Sequence, residues 1–251
     1  MWTVLLACAG PAPDGPEVSV VNGGLLRAGV ILQARFGTMI TYEGVPRNVE
    51  GITYRRDVRA DGPNRVVRLG DGALSFRYRE DATPLEAVEA AVSVANARPD
   101  AYAHFRAVED GDLAINLVPY EVRTLTGWED YVPLFDTVPE VPGRGDPTNL
   151  YRRTLASVAQ QSGVSIRDPL PEAKRIDSVP SDSPQHEHVV LRDRVAARLV
   201  LDDIVSQADS VNTWMLLWVE QGTPTDGWSL GFNMVQPSDD GVLNQTPLAP
   251  R

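Results

Sequence analysis

From Glu17 onward, stretches with a two-residue hydrophobic period alternate with stretches of helical period. "EVSVV" (Glu17–Val21) reads as a short strand. "NGGLLRAGVILQARFG" reads as a helix with Leu25, Ala28, Leu32 and Phe36 on one face. Gly37 suits the left-handed position that ends such a helix, and "MITYE" follows at once as a strand of β-branched and aromatic residues. Residues 47–72 are charged and punctuated by glycine and proline. They predict a long irregular insertion with a short strand at "VVRL". "ALSFRYRED" alternates Leu74, Phe76 and Tyr78 with polar neighbours, which is a strand with one dry face. A second helix follows in "TPLEAVEAAVSVANAR". Thr83 can cap it, Pro84 suits its first position, Glu86 completes a capping box, and Leu85, Val88, Val92 and Ala95 form its apolar stripe. "YAHFRAVEDGDLAINLVP" predicts a hairpin turning at Asp110-Gly111.

After a connector rich in proline, glycine and aromatics, in which "YVPLFDTVPEV" predicts a strand, the order recurs. "DPTNLYRRTLASVAQQSG" is a helix capped by Asp146, with Pro147 at its first position, a stripe of Tyr151, Leu155, Val158 and Ala159, and Gly163 at its end. "VSIRD" follows as a strand, as "MITYE" follows Gly37. A second irregular stretch spans 169–185, then "EHVVLRD" reads as a strand. "RVAARLVLDDIVSQAD" is a helix with Ala197, Leu201, Ile204, Val205 and Ala208 on one face. "TWMLLWVEQ" and "GWSLGFNMVQ" close the pattern as a hairpin. The first of these is apolar on both faces, as a central strand is.

Each half therefore reads strand–helix–strand, strand–helix–hairpin. The expected fold class is α+β: two tandem βαβ–βαβ modules, each a mixed sheet with two helices packed on one face. The expected boundaries are a signal or tether remnant at 1–16, a first module at 17–118, a connector at 119–145, a second module at 146–236 and a disordered tail at 237–251.

Composition narrows the function classes. The 251 residues carry a net charge of -11, and the basic residues are nearly all arginine, interleaved with acids rather than clustered. A groove that follows nucleic-acid phosphates needs a basic stripe, so no nucleic acid is expected as a partner. The single cysteine, Cys8, excludes an internal disulfide and any CxxC site. Its context, Leu5-Leu6-Ala7-Cys8, resembles a bacterial lipobox, and the Pro/Gly/Asp-rich stretch behind it suits a tether. Only seven residues precede Cys8 and none is basic, which departs from a signal peptide. Export to the periplasm or outer envelope is the expectation, with membrane attachment only through a lipid on Cys8. A cytoplasmic protein with a chance match is the alternative. No stretch after the N-terminal segment reaches the roughly 18 apolar residues of a membrane span.

Arg35-Phe36-Gly37, Ile40-Thr41-Tyr42 and Thr83-Pro84-Leu85-Glu86-Ala87 occur in the order in which the first helix, the following strand and the second helix are arranged in the secretin/TonB short N-terminal module. Residues 17–118 resemble that module well and 146–236 loosely. The chain is also similar to bacterial exported proteins built of two such halves with an "ITYED"-like step, from which Tyr42-Glu43-Gly44 departs after the glutamate. The resemblance implies a soluble envelope module that docks to other proteins or to fellow subunits, with no catalytic residues.

Candidate chemistry is sparse. His186 and His188 in "QHEHVV" stand two apart, which in a strand puts both on one face and can supply two metal ligands. A solvated strand end is the simpler reading, because no HExxH or other ligand-spaced partner accompanies them. Asp202-Asp203 are adjacent on a helix and so point apart, and "EDGD" (Glu109–Asp112) reads as a turn. Trp214 and Trp218 read as core, and Trp228 as the more exposed one. No nucleophile elbow, P-loop or dinucleotide fingerprint is present. The expected function is a non-enzymatic protein-interaction module of the envelope, without a cofactor, which pairs its strand edges with an envelope protein or with itself. The alternative is a metal- or small-ligand-binding protein, or a hydrolase, using the His186/His188 strand end.

Overall fold

The computed structural model describes residues 15–21, 23–45, 54–57, 65–68, 72–124, 126–167, 189–192, 195–207, 213–219 and 227–232. In the first half the elements are β1 (Glu17–Val20), α1 (Gly24–Phe36), β2 (Met39–Glu43), β3 (Tyr54–Asp57), β4 (Arg65–Arg68), β5 (Leu74–Arg77), α2 (Pro84–Asn96), β6 (Ala103–Asp110) and β7 (Ala114–Arg123). The connector holds β8 (Trp128–Asp130) and one 3-10 turn, Leu134–Asp136. The second half has β9 (Arg144–Gly145), α3 (Pro147–Ser162), β10 (Ile166–Arg167), β11 (Val189–Val190), α4 (Ala197–Ser206), β12 (Trp214–Val219) and β13 (Gly227–Phe232).

Local sequence sets the helix ends. Gly37 takes φ 71°, and its N–H donates to the Gln33 carbonyl at 2.8 Å, ending α1. The Gln33 side chain then accepts from the Ile40 N–H at 2.8 Å, which ties the last turn of α1 to the start of β2. Both arms of the capping box on α2 form: Glu86 N–H to Thr83 Oγ1 at 3.3 Å and Thr83 N–H to Glu86 Oε2 at 2.7 Å. Asp146 caps α3 by accepting from the Asn149 N–H at 2.8 Å.

The fold is α+β, as expected, and the same pairings occur in both halves. β1 runs antiparallel to β5, and β9 antiparallel to β11. β2 lies parallel to β7 and β10 parallel to β13, while β6 and β12 close antiparallel hairpins with β7 and β13. The division into separate sheets does not hold. β12 pairs in parallel with β2, so strands of both halves form one sheet in the order β10-β13-β12-β2-β7-β6, with β8 alongside the end of β7. The helices do remain with their own strands. Ile40, Tyr42 and Phe105 join α1, α2 and the inner face of β1 and β5 in one core. Trp214, Leu216 and Leu230 join α3 and α4 in a second. Thr41 and Glu43, the alternate residues of β2, face α4 instead, so α4 covers the side of β2 opposite α1.

Three local expectations are corrected. Asp110 belongs to β6 and pairs with Ala114, so the turn is Gly111–Leu113, with Gly111 at φ 51°. Asp110 is held in the strand by an ion pair with Arg192. "YVPLFDTVPEV" makes the 3-10 turn rather than a strand, because Pro133 precedes it and the Phe135 N–H is taken by Glu43. The insertion at 47–72 carries two paired strands, β3 and β4, rather than one.

Gly29 sits mid-helix in α1, where glycine costs stability unless space requires it. A Cβ there would stand 3.2 Å from Ile40 Cγ2 and 3.3 Å from Leu117 Cδ1. The helix rests directly on the sheet at this point. Gly29→Leu is expected to lower stability by roughly 1–3 kcal/mol through overpacking, read as a lower urea midpoint. An unchanged midpoint would contradict the close approach.

Candidate docking edge and the joint between halves

β6 is the outer strand at one end of the sheet. Its side away from β7 has no strand partner among the described residues. Phe105 turns its N–H and C=O to that side. Both are taken by the Asn96 side chain, which accepts from the N–H at 2.9 Å and donates to the C=O at 2.8 Å. Outward-facing main-chain groups recur every second residue, so Ala107 and Glu109 also turn theirs outward. No strand pairs with them among the described residues. Arg106 and Glu109 are solvent-exposed on either side of Ala107. An amide clamp and flanking charges limit promiscuous pairing at an edge. The open stretch is thus short.

Beside the start of this edge lies an aromatic patch. His104 stands at an irregularity in the β6–β7 register. Its Nδ1 is 2.7 Å from Glu121 Oε2 on β7, and its ring stacks on Trp128 of β8 with centroids 3.7 Å apart and planes inclined by 19°. Trp128, Tyr120 and Val132 are exposed nearby in sequence. The sequence signal for this group was weak, because His104, Glu121 and Trp128 lie on three different strands.

The second half shows how an edge like β6 is covered. Counting from the glycines that end α1 and α3, Ile40 corresponds to Ile166 and Ile115 to Trp228. The pair Ala107–Leu117 then corresponds to Leu216–Leu230. Leu216 does not lie at an open edge. Its carbonyl accepts from the Gly44 N–H at 2.8 Å as β2 pairs alongside. Thr213 Oγ1 adds a bond to the Ile40 carbonyl at 2.5 Å.

Beneath this joint the polar side chains of β2 and β7 meet α4. Thr41 Oγ1 donates to Asn116 Oδ1 at 2.6 Å, Asn116 Nδ2 to Asp202 Oδ2 at 2.9 Å, and Trp214 Nε1 to Asp202 Oδ1 at 2.7 Å. Burial, reinforced by the neighbouring Asp110 carboxylate, holds the Asp202 carboxyl above its ordinary range, against these donors. Arg192 clamps Asp110 on one side and Asp203 on the other, its Nη2 2.9 Å from Asp203 Oδ1. Asp202 and Asp203 do diverge along α4, and each carboxylate finds its partner on another element.

Glu43 is fully buried. It accepts from the Phe135 N–H at 3.0 Å and lies 3.4 Å from Arg198 Nη2, which also reaches Asp136 at 2.6 Å. Burial pushes the Glu43 carboxyl up to about 7, with Arg198 and the Phe135 N–H acting in the opposite direction. Glu43 ends β2, and nothing in its local sequence marks it as buried.

Cys8, His186 and His188 lie outside the described residues, and so do the side chains of Trp218 and Trp228. Trp214 is buried in the second core. Among the described residues no group of three His, Cys, Asp or Glu side chains is arranged to hold a metal ion, and no helix is long and apolar enough to cross a membrane. Compared with family models, curated proteins and solved structures, the chain gives no significant match.

Two outcomes follow from this geometry. Asn96→Ala removes both bonds to Phe105 and extends the open edge by one position. It is expected to lower stability by about 1–3 kcal/mol and to raise concentration-dependent association, checked by thermal melting and light scattering. The folded-state pKa of Glu43 lies above the ordinary 4.5. Its contribution therefore favours folding below pH 4.5 and is lost as pH rises through about 7. Glu43→Gln should gain stability relative to the parent between pH 5 and pH 8, on the order of 2–3 kcal/mol. Urea midpoints at the two pH values test this, and a constant difference between the proteins would refute it.

Proposed function

We propose that this protein is a non-enzymatic interaction module of the bacterial envelope, related in kind to the secretin/TonB short N-terminal module, which binds by adding a partner's strand to β6. The observation that carries the reading is the contrast between Ala107 and Leu216. The two residues hold corresponding positions, and Leu216 is paired by β2 while Ala107 has no strand beside it among the described residues. Strand addition draws its affinity from main-chain hydrogen bonds at such an edge. The stack of the exposed Trp128 on His104, which spans the face of β7 at the start of β6, offers an aromatic surface on the same end of the sheet.

The recurrence of strand–helix–strand, strand–helix–hairpin supports the family resemblance and an origin by internal duplication. The Leu5-Leu6-Ala7-Cys8 sequence supports export. Arg106 and Glu109 limit the edge to partners that present a short strand with compatible charge.

Proline substitution separates binding from folding. At Ala107 or Glu109 the lost N–H faces outward, so no bond of the β6–β7 ladder is removed. In-cell cross-linking and affinity purification are expected to recover specific envelope proteins with the parent and to lose them with Ala107→Pro and Glu109→Pro. Circular dichroism and melting temperature should be retained in at least one variant. Recovery of the same proteins from a folded proline variant would reject β6 as the docking edge.

A further inference from the structure

The two halves are joined narrowly. The chain passes between their cores once, at Val132-Pro133: Tyr131 packs against the first core, Leu134 belongs to the second, and Val132 between them is 80% exposed. The two cores are separate clusters. Across the joint, Met215 of β12 packs against the first core and Met39 of β2 against the second, each only partly buried. The main-chain contact is two register pairs, Met215–Tyr42 and Leu216–Glu43, with the Gly44–Leu216 bond at one end and the Thr213–Ile40 bond at the other.

The rest of the joint is a cluster in which acids outnumber bases. Glu43 of β2, Asp110 of β6, Asp136 of the connector and Asp202 and Asp203 of α4 meet the guanidinium groups of Arg192 and Arg198, five acids to two bases among the described residues. Arg198 lies 2.6 Å from Asp136 and 3.4 Å from Glu43, so its closer partner is Asp136. Arg192 is shared between Asp110 and Asp203. Asp202 has neutral partners, Asn116 and the Trp214 indole, and adjoins Asp110. Tyr131 also faces Glu43, and it adds no positive charge: burial and the Glu43 carboxylate push its phenol above its ordinary range. No described cation is left over for Glu43 or for the Asp110–Asp202 pair. A buried carboxyl group without a matching cation keeps its proton.

From this geometry we infer that the joint is a proton-held latch. It closes with protons on Glu43 and on the Asp110–Asp202 pair, and it opens about Val132-Pro133, with each half still folded, when those protons are lost. Closure takes up protons, so rising pH opposes it. The Glu43 carboxyl stands at about 7 in the closed protein against an ordinary 4.5, and burial and Asp110 displace Asp202 in the same direction. The contribution of Glu43 to closure is therefore fully present below pH 4.5 and is lost as pH rises through about 7. Opening hydrates the cluster, leaves each half its own core, and bares the facing edges of β2 and β12. Those edges are sites for strand pairing that the closed form hides. The latch does not rest on β6 being a docking edge.

Hydrogen exchange read by NMR on the full chain, corrected for the intrinsic pH dependence of amide exchange, separates opening from unfolding. The Gly44 N–H, bonded to Leu216, and the Phe135 N–H, bonded to Glu43, both cross the joint. Their protection is expected to fall roughly 50-fold or more between pH 5 and pH 8, while amides in the middle of α2 and α3 keep theirs. In Glu43→Gln, which holds a neutral group at every pH, the fall should shrink by about that factor, the remainder belonging to the Asp110–Asp202 pair. A fall shared equally by the amides of α2 and α3 would mean global unfolding and would overturn the latch. Protection at Gly44 and Phe135 that stays constant with pH would overturn it as well. A fall of undiminished size in folded Glu43→Gln would overturn the placing of a proton on Glu43. Each of these results leaves strand pairing at β6 standing.

Discussion

β2 is hydrogen-bonded in parallel on both sides, to β7 of its own half and to β12 of the other. The rest of the molecule depends on this constraint. A strand paired on both edges and covered on both faces has to satisfy every polar group it carries within the protein. β2 carries Thr41 and Glu43 on the face turned from α1. These side chains cannot be left against apolar surface. Asn116, Arg198 and the Phe135 N–H meet them, and these groups come from β7, from α4 and from the connector. The polar face of one strand is thus met by α4.

The same network binds the two halves with charge as well as with packing. Arg192 and Arg198 each bridge two carboxylates, and Arg198, the buried one of the two, tolerates no loss of partner. Buried ionic clusters of this kind add little net stability over an apolar contact, but they accept one geometry only. Here that geometry fixes which face of the sheet each helix pair occupies.

The corresponding strands β12 and β6 differ in how they are finished. On β12 the outward groups are taken by a neighbouring strand. On β6 one position is taken by an amide side chain, and the next has no partner among the described residues and stands between two charged residues. An edge protected along part of its length and open along the rest suits selective pairing better than a uniformly open or a uniformly blocked one. The stack of the exposed Trp128 on His104 spans β7 at the protected end of β6.

Most elements and their order were legible in the sequence, because the signals that set them are local. Helical period, the capping box at Thr83 and Glu86, the cap at Asp146 and the glycines at 37 and 163 act within a few residues of themselves. The sequence by itself thus determined the α+β class and the recurrence of the same element order. It could not reveal that β12 joins β2, since each strand has enough apolar surface for either partner, and only packing of the whole selects one. Nor could it mark Glu43, Asp110 or Asp202 as buried, because a carboxylate in a strand or helix reads as solvent-facing until its partners are found. Those partners stand 155 residues away for Glu43 and Arg198, 82 for Asp110 and Arg192, and 86 for Asn116 and Asp202. Contacts at such separations leave no periodic trace along the chain, and only the tertiary structure brings them together.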